Sequence, residues 1–329
     1  MTQKVLEVRN LKKWFPVRTG ILASLLGREQ KYVKAVDGID FEIDEGEVLC
    51  LVGESGCGKT TTARTVLRLI EPTDGKIIYR GMDLTQVDRQ QLRTLRSKIQ
   101  MIFQNPFEVL DPRMSVMSLV GEGLEVNDLV ASEQELRERV FDALEKVRLI
   151  PAEDFARRFP HELSGGQLQR VAIARALVLG PDFIVADEPV SMLDASIRIE
   201  IINLMMELKK TLNLTYLYIT HDIAQARYIG DKIGIMYLGK IVEQGPMEEV
   251  IREPLHPYTE ALISNVPVPD PTVKRRRILL RGETPTPVDL PKGCRFRPRC
   301  PYVKDICKEK EPELIKGNER TVMCHLVEK

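Results

Sequence analysis

The order of apolar and amphipathic segments predicts an α/β fold with a small appendage at its C-terminal end. Three observations predict it. Short apolar runs of strand length, at 48–52, 183–186 and 215–219, alternate with longer segments whose apolar residues recur at helical spacing. A glycine-rich stretch, Gly53-Glu54-Ser55-Gly56-Cys57-Gly58-Lys59-Thr60-Thr61, lies between the first of these strands and a helical segment at 62–70. Past residue 245 the character changes: prolines crowd 254–291, and four of the six cysteines follow residue 290.

Residues 5–8 alternate like a half-buried strand, and Trp14 and Phe15 come after it. The segment 18–34 mixes basic residues with a short apolar run at 21–26 and reads as a packed insertion or an amphipathic surface helix. Phe41 and Ile43 lie on alternate positions of another strand, which leads through Glu45-Gly46 to the strand at 48–52. A turn at 72–75 precedes a strand at 76–79, and a further strand at 99–103 ends at Gln104. From 132 to about 148 the pattern is helical: Ser132 and Glu135 have the spacing of a capping box, with Leu136, Val140, Leu144 and Val147 along one face. Leu163-Ser164-Gly165-Gly166-Gln167 then opens a helix carrying Leu168, Ala172 and Ala176. The strand at 183–188 closes on Asp187 and Glu188, and Ser191-Met192-Leu193-Asp194 leads into a helix reaching residue 210. The last core strand, 215–219, runs into Thr220-His221-Asp222, and 234–237 with 240–243 read as a hairpin turned at Leu238-Gly239.

The 329 residues carry 48 basic and 48 acidic side chains, so the chain lacks the overall basic signature of a nucleic-acid binder. No apolar stretch approaches the roughly 18 to 20 residues of a membrane span. The first residues lack the apolar core of a secretory signal. The expectation is a cytosolic protein that meets a membrane only through a partner.

Strand, glycine-rich turn and helix make the stretch 53–61 a P-loop, because small residues let successive N–H groups face one concavity at a helix N-terminus. Gly53, Glu54, Ser55, Gly56, Cys57, Gly58, Lys59, Thr60 and Thr61 are therefore expected around the phosphates of a nucleoside triphosphate. Lys59 is expected to reach the terminal phosphates and the Thr60 hydroxyl to ligate Mg²⁺. Asp187, closing an apolar strand, suits a carboxylate that holds Mg²⁺ through water, and Glu188 is placed to polarise an attacking water. Gln104, leaving the end of a strand, points at whatever occupies the P-loop and completes the expected Mg²⁺ set with Thr60 and Asp187. Ser164, Gly165, Gly166 and Gln167 form a second phosphate-seeking helix start. One γ-phosphate cannot serve both helix starts within one small domain, so a second copy or partner is expected to supply the opposing face. His221 is a candidate for contact with the γ-phosphate.

With these motifs in this order, the sequence resembles the nucleotide-binding subunit of an ATP-binding-cassette (ABC) transporter. The resemblance implies a RecA-like core with an antiparallel β subdomain and a helical signature subdomain at about 105–180, all within a cassette at 1–250. It implies an aromatic stacked on adenine, Phe15 with Trp14 as the alternate, and a D-loop at 191–194 that contributes Asp194. Met192 stands in that loop where alanine is usual. His256-Pro257-Tyr258-Thr259-Glu260-Ala261-Leu262, the prolines at 267–271 and Gly293-Cys294-Arg295-Phe296 resemble the tail of oligopeptide/dipeptide importer ATPases. The insertion after Phe15 resembles that of the second ATPase of such pairs. The resemblance then implies ATP hydrolysis at the cytoplasmic face of a membrane by one half of an ATPase dimer, hetero or homo. The partners implied are two permease subunits and, indirectly, an extracytoplasmic substrate-binding protein, with no nucleic acid. Short peptides are the implied cargo, with oligosaccharides or nickel carried by relatives. Coupling to the permeases is expected beyond Gln104, around Phe107 and Leu110. Soluble cassette ATPases of repair or translation typically carry heptad coiled coils or two P-loops, and neither is found here.

Cys294, Cys300, Cys307 and Cys324 have the spacing C-x₅-C-x₆-C-x₁₆-C, wider than paired zinc ligands usually show. Four thiolates are also the ligand set of an iron–sulfur cluster. Resemblance to cysteine-tailed oligopeptide/dipeptide ATPases implies a [4Fe–4S] cluster, with zinc as the alternative, in the extension 251–329. Lys292, Arg295, Arg297, Arg299 and Lys304 are interleaved with the ligands and are expected to offset the cluster's negative charge.

Overall fold

The computed structural model describes residues 3–17, 30–266, 277–280, 282, 285, 287–288, 290–317 and 319–327. The apolar run of the 18–34 insertion and the prolines at 267–271 lie outside these residues. The strands, in chain order, are β1 (Lys4–Pro16), β2 (Tyr32–Asp44), β3 (Val48–Val52), β4 (Asp74–Tyr79), β5 (Met82–Asp83), β6 (Ile99–Ile102), β7 (Phe183–Asp187), β8 (Thr215–Thr220), β9 (Lys232–Tyr237), β10 (Lys240–Pro246), β11 (Ile315–Lys316) and β12 (Thr321–Val322). The chain divides into two compact units.

The first unit takes the residues up to Val5, then 43–48 and 86–219. Its strands β6, β7 and β8 are parallel, with Ile99 opposite Phe183 and Phe183 opposite Thr215. Every residue of β7 and β8 is buried. That is what a continuous apolar run encodes: a strand covered on both faces. The helices Val116–Val126, Glu133–Lys146 and Gly165–Leu177 pack on one another through Leu119, Val120, Leu124, Val140, Leu144, Leu168 and Val171. The predicted capping box of the second of these is half made. Ser132 Oγ accepts from the Glu135 N–H at 3.2 Å, but the Glu135 carboxylate accepts from Ala131 N–H at 2.9 Å instead of from Ser132.

The second unit takes 6–42, 49–85 and the residues from 220 onward. One of its sheets has the order β2-β1-β4-β5, with Leu6 opposite Tyr79 and Arg9 opposite Lys76 in antiparallel register. β1 is far longer than the predicted 5–8, because pairing with β4 carries it past its apolar start and Lys12 is held by Asp74 at 2.8 Å. In the other sheet β3 and β9 run parallel, with Cys50 opposite Ile233. β9 and β10 form the predicted hairpin. Its turn puts Leu238 at φ 42° and Gly239 at φ 79°, the positive angles a tight hairpin needs. β12 adds to β10 and β11 to β12, so the cysteine-bearing tail is stitched to the edge of this sheet.

Candidate nucleotide site

The P-loop belongs wholly to the second unit. β3 is five residues long and fully buried, and the helix Lys59–Val66 starts at the motif lysine. It ends earlier than the predicted 70, where Arg68 turns left-handed at φ 50°. Two glycines are required by space. A Cβ at Gly53 would stand 2.2 Å from Met236 O, and one at Gly58, itself at φ 110°, would stand 2.0 Å from Ala35 O. The Lys59 side chain is folded into the loop, its Nζ donating to Gly53 O at 2.8 Å and Glu54 O at 3.1 Å. Ser55 and Gly56 are exposed at the crest, Thr60 is half-buried, and Thr61 sits within the helix. The eight-residue helix places its N-terminal end, the positive end of its dipole, at the loop.

Glu54, the second residue of the motif, is gripped from a distance in sequence. Arg299 forks onto it, Nη1 to Oε2 at 2.7 Å and Nη2 to Oε1 at 3.1 Å. The Glu54 N–H donates to the Tyr258 hydroxyl at 3.0 Å. Burial alone lowers the Arg299 pKa, yet Glu54 and Tyr237 more than offset it and hold the guanidinium above its ordinary value. Phe15, at the end of β1, is 37% exposed, with the Lys13 ammonium 4.9 Å from its ring centre. Trp14 is engaged instead: its indole N–H donates to Asp37 at 2.9 Å and the Lys34 ammonium lies 4.5 Å over the ring. Asp37 also receives Arg295. Burial raises the Asp37 pKa, but Arg295, then Lys240 and Lys34, outweigh it and hold the carboxyl below its usual range. His221, just after β8, is exposed.

The first unit holds the other expected catalytic groups. Asp187 is the last residue of β7 and is buried. Glu188 leaves the strand left-handed at φ 45°, with its N–H on Ile219 O at 2.9 Å. Gln104 and Glu188, on two different strand ends, are brought together: Gln104 Nε2 donates to Glu188 Oε2 at 3.2 Å. Ser191 bonds back to Glu188 O through its hydroxyl at 3.1 Å, and Asp194 occupies the N-cap position of the helix Ala195–Leu212. Ser164 caps the helix Gly165–Leu177 reciprocally with Gln167: Ser164 Oγ accepts from Gln167 N–H at 3.3 Å, and the Gln167 side-chain oxygen accepts from Ser164 N–H at 3.0 Å. The spacing Ser-x-x-Gln is a capping box, a signal present in the sequence beside the phosphate reading. Ser164 and Gly165 remain exposed and Gly166 half-buried.

The four cysteines of the tail all lie in the second unit. Burial raises the thiol pKa of Cys294 to about 11, and the charges of Cys307 and Cys324 add to it. Cys300 and Cys324 are raised in the same sense, by burial first and by Cys307 among their neighbours. Among the described residues, no three His, Cys, Asp or Glu side chains stand together at metal-ligand spacing. The expected charge-offsetting role of the interleaved basic residues does not hold for Arg295 and Arg299, which are committed to Asp37 and Glu54. What sequence reasoning missed in this region is the pairing of Arg295 with Asp37 and of Arg299 and Tyr258 with Glu54, and no local pattern announces it.

A P-loop on a buried strand, two carboxylates closing another strand and a capped signature helix define a P-loop ATPase. The ABC transporter family matches residues 36–191, and the "Oligopeptide/dipeptide transporter, C-terminal region" family matches 242–307. The oligopeptide transport ATP-binding protein AppF of Bacillus subtilis (strain 168) is 48% identical over 328 residues, 98% of each chain. The oligopeptide transport ATP-binding protein OppF of Salmonella typhimurium is 44% identical over 322 residues, 97% of this chain and 95% of that one. Among solved structures, the dimeric post-hydrolysis state of the ATP-binding cassette MJ0796 bound to ADP and Pi matches with TM-score 0.63 and 30% identity, over 74% of this chain and 98% of that one. The chain belongs to the ABC transporter family, as an ATP-hydrolysing subunit of the oligopeptide/dipeptide importer type.

Proposed function

We propose that this subunit energises the import of oligopeptides or dipeptides as one half of an ATPase dimer. Two permease subunits would carry the substrate and receive the stroke, and an extracytoplasmic binding protein would deliver it. The full-length likeness to peptide-transport ATPases supports the cargo, and the dimeric form of the MJ0796 cassette supports the pairing. No helix among the described residues is long and apolar enough to cross a membrane, which suits a subunit that docks on membrane partners. Phe107, 65% exposed beyond Gln104, is the side chain we assign to that docking.

In the mechanism, Gly53 to Thr61 wrap the phosphates of ATP and Lys59 leans on the terminal ones. Thr60, Asp187 and Gln104 would hold Mg²⁺ directly or through water, and that ion would neutralise charge as the phosphate leaves. Phe15 is exposed enough to stack on adenine, whereas Trp14 is occupied by Asp37 and Lys34. Glu188 takes the proton of the attacking water and His221 touches the γ-phosphate. Ser164 to Gln167 and Asp194 would face the nucleotide of the other half of the dimer.

The observation that carries this reading is the hydrogen bond from Gln104 to Glu188. It couples a residue at the start of the permease-facing loop to the base. Glu188→Gln should leave ATP binding intact in the assembled transporter and lower turnover at least about a hundredfold, because an amide cannot take the proton. Turnover at the native rate would remove Glu188 from the role.

We further propose that Cys294, Cys300, Cys307 and Cys324 hold a [4Fe–4S] cluster in preference to zinc. The four cysteines in one unit and the Leu326 N–H on Cys324 Sγ at 3.5 Å support it. Binding a metal would relieve the cost of desolvated thiolates. Its role would be to staple the tail. Protein purified without oxygen should be brown, with about four iron and four sulfide per chain. Colourless protein with one zinc, or none, would eliminate the cluster.

A further inference from the structure

We propose that the C-terminal segment is a working part of the nucleotide site, with Arg299 and Arg295 as positioning residues that hold the P-loop and the aromatic end of β1 through Glu54 and Asp37. This rests on the reading that ATP sits on the P-loop. It adds a wall to that site from a stretch otherwise assigned to the cysteines.

The grip on Glu54 is threefold. Its carboxylate is held by both arms of the Arg299 guanidinium, a fork that fixes orientation as well as distance. Its N–H is held by the hydroxyl of Tyr258. Its carbonyl receives Lys59, the lysine expected at the phosphates. Moving Glu54 therefore moves the anchor of Lys59. Arg299 and Tyr258 are themselves immobilised. The side chain of Arg299 is 8% exposed and lies over the ring of Tyr237, while Tyr237, Tyr258 and Phe296 form one aromatic cluster with centroids 4.8–5.4 Å apart.

Arg295 makes a matching connection on the other flank. It is paired with Asp37, whose second oxygen accepts from Trp14, and its Nη1 donates to Leu238 O at 2.6 Å. The turn that contains Leu238 is tied to the P-loop itself, since Gly239 N–H donates to Cys57 O at 2.9 Å and Gly239 O accepts from Asp37 N–H at 2.9 Å. Two arginines from one short stretch thus reach the loop at its second residue and, through the hairpin turn, at its fifth.

Charge gives the arrangement a functional sign. A carboxylate inside an anion-binding loop repels phosphate, and Arg299 cancels that charge where it stands. Losing Arg299 would both loosen the loop and expose ATP to an uncompensated Glu54. A merely structural arginine would change stability alone.

The test uses the full-length chain, with ATP affinity and melting temperature measured on the same samples. Arg299→Gln should weaken ATP binding about tenfold. Adding Glu54→Gln should recover part of that loss, whereas Glu54→Gln alone should not tighten binding. Arg299→Lys keeps the charge but not the fork and should fall between, which preserves the test if the glutamine variant does not fold. In the assembled transporter the same variants should raise KM for ATP with kcat largely kept. Unchanged affinity in folded Arg299 variants would overturn the inference, as would a loss that Glu54→Gln leaves untouched. Lys59→Ala separates the two readings: ATP binding that survives it would show that nucleotide sits elsewhere, whatever Arg299 does.

Discussion

His256 is buried, and its Nδ1 accepts the N–H of Tyr258, capping the helix Pro257–Ser264. Its own N–H is taken by Glu243 at 2.9 Å. Burial lowers its pKa from 6.5 to about 3, so the folded protein keeps the ring neutral and the cap intact. Above pH 6.5 both folded and unfolded chains carry it neutral, and it has no effect on the pH dependence of stability. Below that value the unfolded chain takes up a proton the folded one refuses. Stability should therefore fall as pH drops toward 3, by up to about 1.4 kcal/mol per unit from this group. His256→Asn retains an acceptor for the cap and should flatten that part of the acid profile in urea melts taken from pH 7 to 4. An unchanged slope would assign the acid sensitivity elsewhere. Tyr258 links this residue to the nucleotide loop, since the tyrosine that His256 orients is the one that receives Glu54 N–H.

At the scale of the element, strands were the most legible part of the sequence and their ends the least. β3, β7 and β8 read directly because burial on both faces demands uninterrupted apolar residues. β1 did not, because most of its length is specified by pairing partners and not by its own hydrophobicity. The hairpin turn at Leu238-Gly239 is visible from its chemistry, whereas the helix after the P-loop stops short of residue 70 at a left-handed Arg68 that nothing local marks. Of the candidate site, the P-loop, the carboxylates at 187 and 188 and the signature at 163–167 were all written as contiguous motifs. What could not be read was pairing across sequence. Gln104 to Glu188 spans 84 positions and Arg299 to Glu54 spans 245, and an ion pair leaves no periodicity behind it.

At the scale of the whole molecule, the tail is bound into the sheet that carries the P-loop strand. Glu243 of β10 is fully buried, and it accepts from Leu255 N–H, His256 N–H and Arg320. β12 pairs along the same strand, with Glu243 opposite Val322. A chain ending at residue 290 would lose Arg320, Phe296 and β12 together. It would leave a buried carboxylate without its cation, at a cost of about 3 kcal/mol or more, and β10 as an open sheet edge. Such a truncation should melt well below the full chain and self-associate by light scattering. A truncated chain that melts with the full one and stays monodisperse would mean the tail is an independent attachment.

The separation between Glu54 and Arg299 also has a consequence in time. During synthesis the glycine-rich loop leaves the ribosome long before the arginine that orders it, and Tyr258 emerges between the two. A nascent chain would therefore carry the complete phosphate-binding motif while still lacking its grip. Tight nucleotide binding would arrive only once Arg299 had emerged, so a growing polypeptide would compete poorly for ATP until then.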